Sequence, residues 1–399
     1  MNRVFKTKWS AAHQQYVVTD EHHATKGKSS KSAVALAVSA LMLAAGSASA
    51  AYMGAGFLTQ DSSAESVQAA VASWQTAEYK KDWGLEAMGA ANAYALGFNG
   101  RSVTVGVMDS GALLQKHPDL TGDRFSATHV KGEYSTTGNR YPQGALEQFE
   151  GNYKAGDTYD ITGDWKLNVN DSHGTHVLGT VGGNRDGNQF HGVAWGANII
   201  SGNTGGTDDS NYGPFLDPGY FLNAWTTLAD AVNEGNNGRG GVINNSFGTN
   251  IRITIEKKPT SDAEAEAWNA KLVASEGERH HTWKKDKKGN WLLYGPDNGN
   301  VTIHFPVDTA AQSEYEYFLF NNVYGKDADG KLNKNFVDSA WDAVKGKKVV
   351  QVMTTGNRDI ANPFFRPNYP YFNPEAENQW IAVAGLKQSA DGKKLELIK

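Results

Sequence analysis

The chain has 399 residues, of which 39% are hydrophobic and 11% aromatic, so it can bury at least one large core, and disorder of the whole chain is excluded. Its 38 Lys and Arg residues are interspersed with 43 Asp and Glu residues, and the net charge of −5 provides no broad basic face, which argues against a nucleic-acid partner. The absence of cysteine excludes disulfides, zinc–thiolate sites and cysteine nucleophiles.

Residues 1–50 have the features of an export signal. Their apolar run, residues 33–45, is too short for a hydrocarbon core that needs about 20 residues. Basic residues precede this run and a small-residue site, Ala48-Ser49-Ala50, follows it, so we expect cleavage after Ala50. The stretch MNRVFKTKWSAAHQQYVVTDE resembles the extended signal peptide of Gram-negative autotransporters and related type V passengers. This resemblance implies export through the periplasm to the cell surface or the medium.

The rest of the chain divides by composition into a leader, residues 51–98, and a larger domain, residues 99–399. The leader shows weak helical spacing at Val67, Val71, Trp74, Met88, Ala91, Tyr94 and Leu96. In the larger domain, apolar runs alternate with helix-compatible segments, which predicts an α/β fold with a parallel sheet. Strands are predicted at 103–108, 198–201, 242–245, 349–353 and 381–384, and helices from residue 173, at 221–234 and at 336–344.

Two stretches interrupt this alternation and are interpreted as insertions. Residues 120–168 are polar and rich in Gly and Tyr. Residues 250–335 are charged and contain a hairpin-like pair, Trp283 to Trp291 across KKDKKGN. The second insertion is therefore predicted to be rich in β-hairpins.

Asp109 ends the first predicted strand, in the segment VGVMDSG. A carboxylate at the carboxyl end of a parallel strand lies where open α/β sheets place their ligands. Taken alone, Asp109 could equally close the Ser110-Gly111 turn or bind a metal ion.

His173 opens the segment HGTHVLGTVGG, preceded by Asp171 and Ser172 as candidate N-caps. The helix dipole at this position favours the neutral imidazole that a general base must be. The alternatives are ordinary packing or a zinc site made with His176. Zinc is disfavoured because the helix lacks the Glu of H-E-x-x-H and completes no ligand set.

Four segments in order resemble the subtilisin-like serine proteases: VGVMDSG followed by HPDL, then HGTHVLGT, GVINNSFG and VVQVMTTGNRD. The resemblance implies a doubly wound, mostly parallel sheet with helices on both faces. It implies that Asp109 orients the base, that His173 is the base and that Asn357 donates to the oxyanion. It also implies that a peptide substrate pairs as an added strand with Asn244, Asn245, Ser246, Phe247 and Gly248.

The nucleophile of this family lies in a Gly-Thr-Ser segment, and no such segment occurs in the 399 residues. The domain is therefore expected to be incomplete at its C-terminus, with the serine and a β-barrel translocator beyond Lys399, and this fragment is expected to be inactive by itself. The leading hypothesis is a secreted serine endopeptidase acting on proteins or peptides. The alternative is a catalytically inactive passenger that acts as an adhesin or binding module. No cofactor is predicted to be required. The resemblance is compatible with a structural calcium ion, since subtilisin-like proteases often bind calcium.

Overall fold

The chain divides into two units, residues 1–73 and 74–399. The computed structural model describes residues 6–10, 15–19, 51–135, 138–139, 152–166, 170–205, 217–247, 259–276, 282–285, 287–294, 335–356, 365–389 and 394–397. In the first unit, strand β1 (Lys6–Ser10) pairs antiparallel with β2 (Gln15–Thr19), and β3 (Tyr52–Gly54) with β4 (Phe57–Thr59). Helix α1 covers Ala64–Trp74 and confirms the helical spacing predicted there.

The larger unit alternates strands with helices, as the apolar runs predicted. Its elements are α2 (Trp83–Ala87), α3 (Ala90–Ala95), β5 (Thr104–Asp109), β6 (Phe125–Ala127), β7 (His129–Glu133), β8 (Gly138–Asn139), β9 (Asn152–Tyr153), β10 (Thr158–Thr162), α4 (His173–Gly182), β11 (Asn198–Asn203), α5 (Pro218–Gly235), β12 (Gly241–Asn245), α6 (Asp262–Glu276), β13 (Thr282–Lys285), β14 (Trp291–Tyr294), α7 (Phe336–Val344), β15 (Val349–Thr354), α8 (Tyr369–Phe372), β16 (Trp380–Val383), β17 (Leu386–Gln388) and β18 (Leu395–Leu397). The five predicted strands and three predicted helices of this domain all appear, with ends shifted by no more than a few residues.

Six strands form one parallel sheet in the order β16-β15-β12-β5-β11-β6. Consecutive residues of β5 point to opposite faces, so Val107 packs in a core with Leu178 of α4. Met108 packs in a second core with Trp225 of α5 and Trp341 of α7. Helices therefore cover both faces, which confirms the doubly wound α/β fold.

The two predicted insertions differ from expectation in one respect each. The stretch 120–168 supplies β6, the edge strand of the main sheet, in addition to the antiparallel pair β7 and β10. The second insertion contains the predicted hairpin, with Lys285 opposite Trp291, but also the helix α6, which was not predicted. Trp268 of α6 lies 5.8 Å from the ring of Trp283, and this contact joins helix and hairpin.

An aromatic cluster attaches residues 74–98 to the loop before β11. The rings of Trp74, Tyr94 and Trp195 lie within 6.0 Å of one another. His191 is 1% exposed and lies 5.9 Å from the Tyr94 ring. The Tyr94 hydroxyl also donates to the Val193 carbonyl at 2.7 Å. The cluster therefore combines apolar packing with a buried polar contact.

Candidate active site

The carboxyl ends of three adjacent strands meet at one edge of the sheet. Strand β12 lies between β5 and β15, with Asn244 opposite both Val107 and Val352. The pairing of β12 with β5 ends there, two residues before Asp109, and Ser246 follows directly after the end of β12. The strands that lead to the segments assigned to base orientation and substrate pairing are therefore neighbours, although Asp109 and Ser246 are 137 positions apart in the chain.

Asp109 and His173 form a hydrogen-bonded pair at this edge. His173 Nδ1 lies 2.9 Å from Asp109 Oδ1, and the two side chains are 25% and 2% exposed. Because an ionised carboxylate only accepts hydrogen bonds, Nδ1 carries the proton and Nε2 is left as the basic nitrogen. The structure thus brings together the two residues that the sequence proposed as base and orienting carboxylate.

The Asp109 carboxylate is held by its own strand end. The Ser110 backbone N–H donates to Oδ1 at 2.7 Å, while Oδ2 is buried without a hydrogen-bond partner among the described residues. The Thr204 N–H donates to the Asp109 carbonyl at 2.7 Å and joins the end of β5 to the end of β11. This anchoring restricts the carboxylate to the orientation in which it meets His173.

Glycine allows the helix of His173 to approach the end of β5 closely. A Cβ atom on Gly174 would lie 2.3 Å from the Gly111 carbonyl oxygen, so no other residue fits at that point without displacing backbone. Gly111 itself has a φ of +86°, which favours glycine. The two glycines therefore determine how near the helix N-terminus comes to Asp109.

One of the two predicted N-caps of this helix makes the expected contact. Asp171 Oδ1 accepts from the His173 N–H at 2.7 Å, whereas Ser172 makes no side-chain capping hydrogen bond. The sequence interpretation missed Ser110, which it treated only as part of a turn. Its hydroxyl accepts from the Gly174 N–H at 2.9 Å, and a small hydroxyl residue directly after Asp109 was the only sequence signal for it.

The predicted substrate segment has two side chains in the core. Asn245 is 0% exposed: its Oδ1 accepts from the Trp225 indole N–H at 3.1 Å, and its Nδ2 donates to Gln351 Oε1 at 2.9 Å. Phe247 is also buried, with the Arg366 guanidinium 4.2 Å from its ring centre. These two side chains are therefore part of the core and not of an accessible surface.

The neighbouring residues of that segment are more accessible. Asn244 and Ser246 are half-buried, and Asn244 Nδ2 donates to Ser246 Oγ at 2.9 Å. Gly248 lies outside the described residues, as does Asn357. Strand β15 ends at Thr354, and Gly356, two residues later, has a φ of +98° and precedes Asn357 directly.

Neither a metal centre nor a membrane-spanning helix is found among the residues that the structure describes. No group of three or more His, Asp and Glu side chains in the described ranges is placed to hold a metal ion. The helices in those same ranges include none with the length and apolarity needed to cross a membrane. A structural calcium ion stays a prediction.

Comparison with known proteins connects this geometry to a family. Residues 100–395 match the model of the subtilase family, Peptidase S8, and residues 1–50 match that of the extended signal peptide of the type V secretion system. An extracellular serine protease of Serratia marcescens is 31% identical over 319 residues, which cover 79% of this chain and 23% of that protein. A second extracellular serine protease of the same organism is 34% identical over 141 residues, covering 35% and 10%. The match spans less than a quarter of the length of either relative.

Proposed function

Since this chain belongs to the subtilase family of serine proteases, we propose that it forms part of an exported endopeptidase that hydrolyses peptide bonds with Asp109, His173, a serine and Asn357. The observation that carries the proposal is the hydrogen bond of 2.9 Å between His173 Nδ1 and the buried Asp109 carboxylate. A buried carboxylate that fixes one tautomer of a partly exposed imidazole is the arrangement that general-base catalysis requires.

Each residue has a distinct part in the proposed reaction. His173 Nε2 removes the proton of the serine hydroxyl as that oxygen attacks the peptide carbonyl, and later gives the proton to the leaving amine. Asp109 holds the imidazole in place and stabilises its protonated form. The side-chain amide of Asn357 donates to the oxyanion, and its charge stabilisation is largest in the transition state. The serine is proposed to lie in sequence beyond Lys399, because no Gly-Thr-Ser segment occurs in this chain.

Substrate is proposed to bind along the backbone of residues 244–248. Strand β12 ends at Asn245, beside the end of β5, so an extended peptide paired with the next residues would pass close to His173. Within this segment Asn244 and Ser246 are half-buried and stay accessible to such a peptide, whereas Asn245 and Phe247 are buried. The proposed partners are protein or peptide substrates.

Export is the setting of the proposed activity. The extended signal peptide over residues 1–50 directs the chain to the type V secretion route, so the protein is exported to the cell surface or the medium. A C-terminal β-barrel translocator outside this chain is the proposed partner in secretion. A protease that works outside the cell without disulfides depends on its packed sheet for stability, because the chain contains no cysteine.

The test compares two His–Asp pairs in the exported protein encoded by the complete reading frame. His173→Ala should abolish labelling by a fluorophosphonate and lower peptide hydrolysis by at least about 10³-fold, because it removes the base. His129→Ala is the matched control, since the exposed side chain of His129 on β7 pairs with that of Asp160 on β10. Equal activity in both variants would overturn the proposal. Absence of labelling in the unmodified protein would favour a binding passenger instead.

A further inference from the structure

The N-terminus of α4 is capped from outside the helix. The first N–H groups of a helix have no intrahelical acceptor and need one from elsewhere. The His173 N–H donates to Asp171 Oδ1, two residues before it in the chain. The Gly174 N–H donates at 2.9 Å to the hydroxyl of Ser110, 64 residues away, while Ser172 makes no side-chain capping hydrogen bond.

Ser110 also contacts the groups on either side of this cap. Its hydroxyl donates to the Asp171 carbonyl at 2.8 Å, and its backbone N–H donates at 2.7 Å to Asp109 Oδ1. That carboxylate oxygen is the one that lies 2.9 Å from His173 Nδ1. Ser110 itself is 0% exposed, so its hydroxyl and its N–H are held by these protein groups and not by water.

We propose that Ser110 is a positioning residue that aligns His173 with Asp109, by using one buried hydroxyl to bind Asp171 and Gly174. This inference rests on the proposed function, since alignment matters only for a residue pair that transfers a proton. Ser110 touches neither substrate nor the reacting atoms. Its backbone N–H holds the carboxylate and its hydroxyl holds the start of the helix, and His173 lies in sequence between Asp171 and Gly174, the two residues that this hydroxyl binds.

Helix α4 makes side-chain hydrogen bonds with the chain after β5 through Ser110 and through Thr175, and of these two residues only Ser110 also binds Asp109. The Thr175 hydroxyl accepts from the Leu113 N–H at 3.0 Å, which is also a side-chain contact between α4 and the loop after β5. Thr175, unlike Ser110, makes no described hydrogen bond to Asp109, Asp171 or Gly174. Thr175→Val is therefore a matched control that removes one contact of this interface without touching the alignment.

The experiment measures kcat, KM and thermal unfolding of the exported protein with Ser110→Ala, Ser110→Thr, Ser110→Cys and Thr175→Val. Ser110→Ala should lower kcat by up to about 10²-fold with little change in KM, because a misplaced base slows the chemical step. Ser110→Thr keeps the hydroxyl and should restore most of kcat, while the weaker thiol of Ser110→Cys should give an intermediate value. Thr175→Val should lower the unfolding temperature but leave kcat near that of the unmodified protein.

NMR spectroscopy can measure the alignment of His173 with Asp109 even in a protein that hydrolyses no peptide. The proton shared by His173 Nδ1 and Asp109 should give a downfield ¹H NMR resonance that shifts or broadens in Ser110→Ala and is unchanged in Thr175→Val. If the unmodified protein hydrolyses no peptide, the proposed function fails, and this resonance still decides the role of Ser110. An unchanged resonance in Ser110→Ala, or equal losses of kcat in Ser110→Ala and Thr175→Val, would overturn the inference.

Discussion

Replacing Asn245 by alanine tests whether this residue belongs to the core or to the substrate cleft. The sequence assigned Asn245 to the substrate-binding segment together with Asn244, but the structure buries only Asn245 completely. Its amide accepts from the Trp225 indole N–H and donates to Gln351 Oε1, linking α5, β12 and β15. We therefore expect Asn245→Ala to destabilise the fold.

The size of the effect follows from the groups that the variant leaves without a partner. Trp225 is 1% exposed and Gln351 0% exposed, so neither can replace the lost hydrogen bond with water. A buried donor or acceptor left unsatisfied costs about 1–3 kcal/mol, which gives about 2–6 kcal/mol for the two groups. Asn244 is half-buried and its described side-chain hydrogen bond is to Ser246, so Asn244→Ala should cost less than about 1 kcal/mol.

Urea unfolding of the exported protein, followed by tryptophan fluorescence, measures both variants. The expected result is a lower midpoint for Asn245→Ala at an unchanged slope, with Asn244→Ala close to the unmodified protein. Peptide hydrolysis supplies the second readout, since a core residue should alter stability while KM stays the same. A loss of less than about 0.5 kcal/mol in Asn245→Ala, or a raised KM without any loss of stability, would refute the core assignment.

Three further predictions address catalysis, pH and export. Asn357→Ala should lower kcat by about 10²–10³-fold with KM little changed, as for the oxyanion donor of a subtilisin, and recovery of kcat in Asn357→Gly would show that the residue only closes a turn. Burial lowers the pKa of His191 below its usual value of 6.5, so the free energy of unfolding should fall as the pH decreases below about 6.5. Urea midpoints measured from pH 8 to pH 4.5 check this, and His191→Phe should remove that part of the pH dependence. N-terminal sequencing of the exported protein should begin at Ala51, and recovery of Met1 on active protein would contradict cleavage.

The sequence alone was sufficient for the features that depend on neighbouring residues. Apolar runs located β5, β11, β12, β15 and β16, because strands of a parallel sheet are almost continuously apolar. Ile381 and Val383 of the edge strand β16 are nevertheless exposed. The helix starting at His173 was predicted from its capping residues, and Asp171 makes the expected contact. The helix α6 was missed because its charged, Ala-rich sequence has little amphipathic spacing, and the hairpin signal beside it dominated the interpretation.

Only the tertiary structure decided which strands are neighbours and where their side chains point. The placement of β12 between β5 and β15 depends on packing between distant segments, and it puts the strand of the predicted substrate segment beside the strand that ends at Asp109. Val242 and Ile243, which precede the two asparagines, are both apolar and lie on opposite faces of β12, so the sequence did not indicate which asparagine points into the core. Asn244 and Asn245 were therefore equivalent in the sequence. The contacts with Trp225 and Gln351 distinguish Asn245 as the buried one, just as the contact with Gly174 identifies Ser110 as a helix cap.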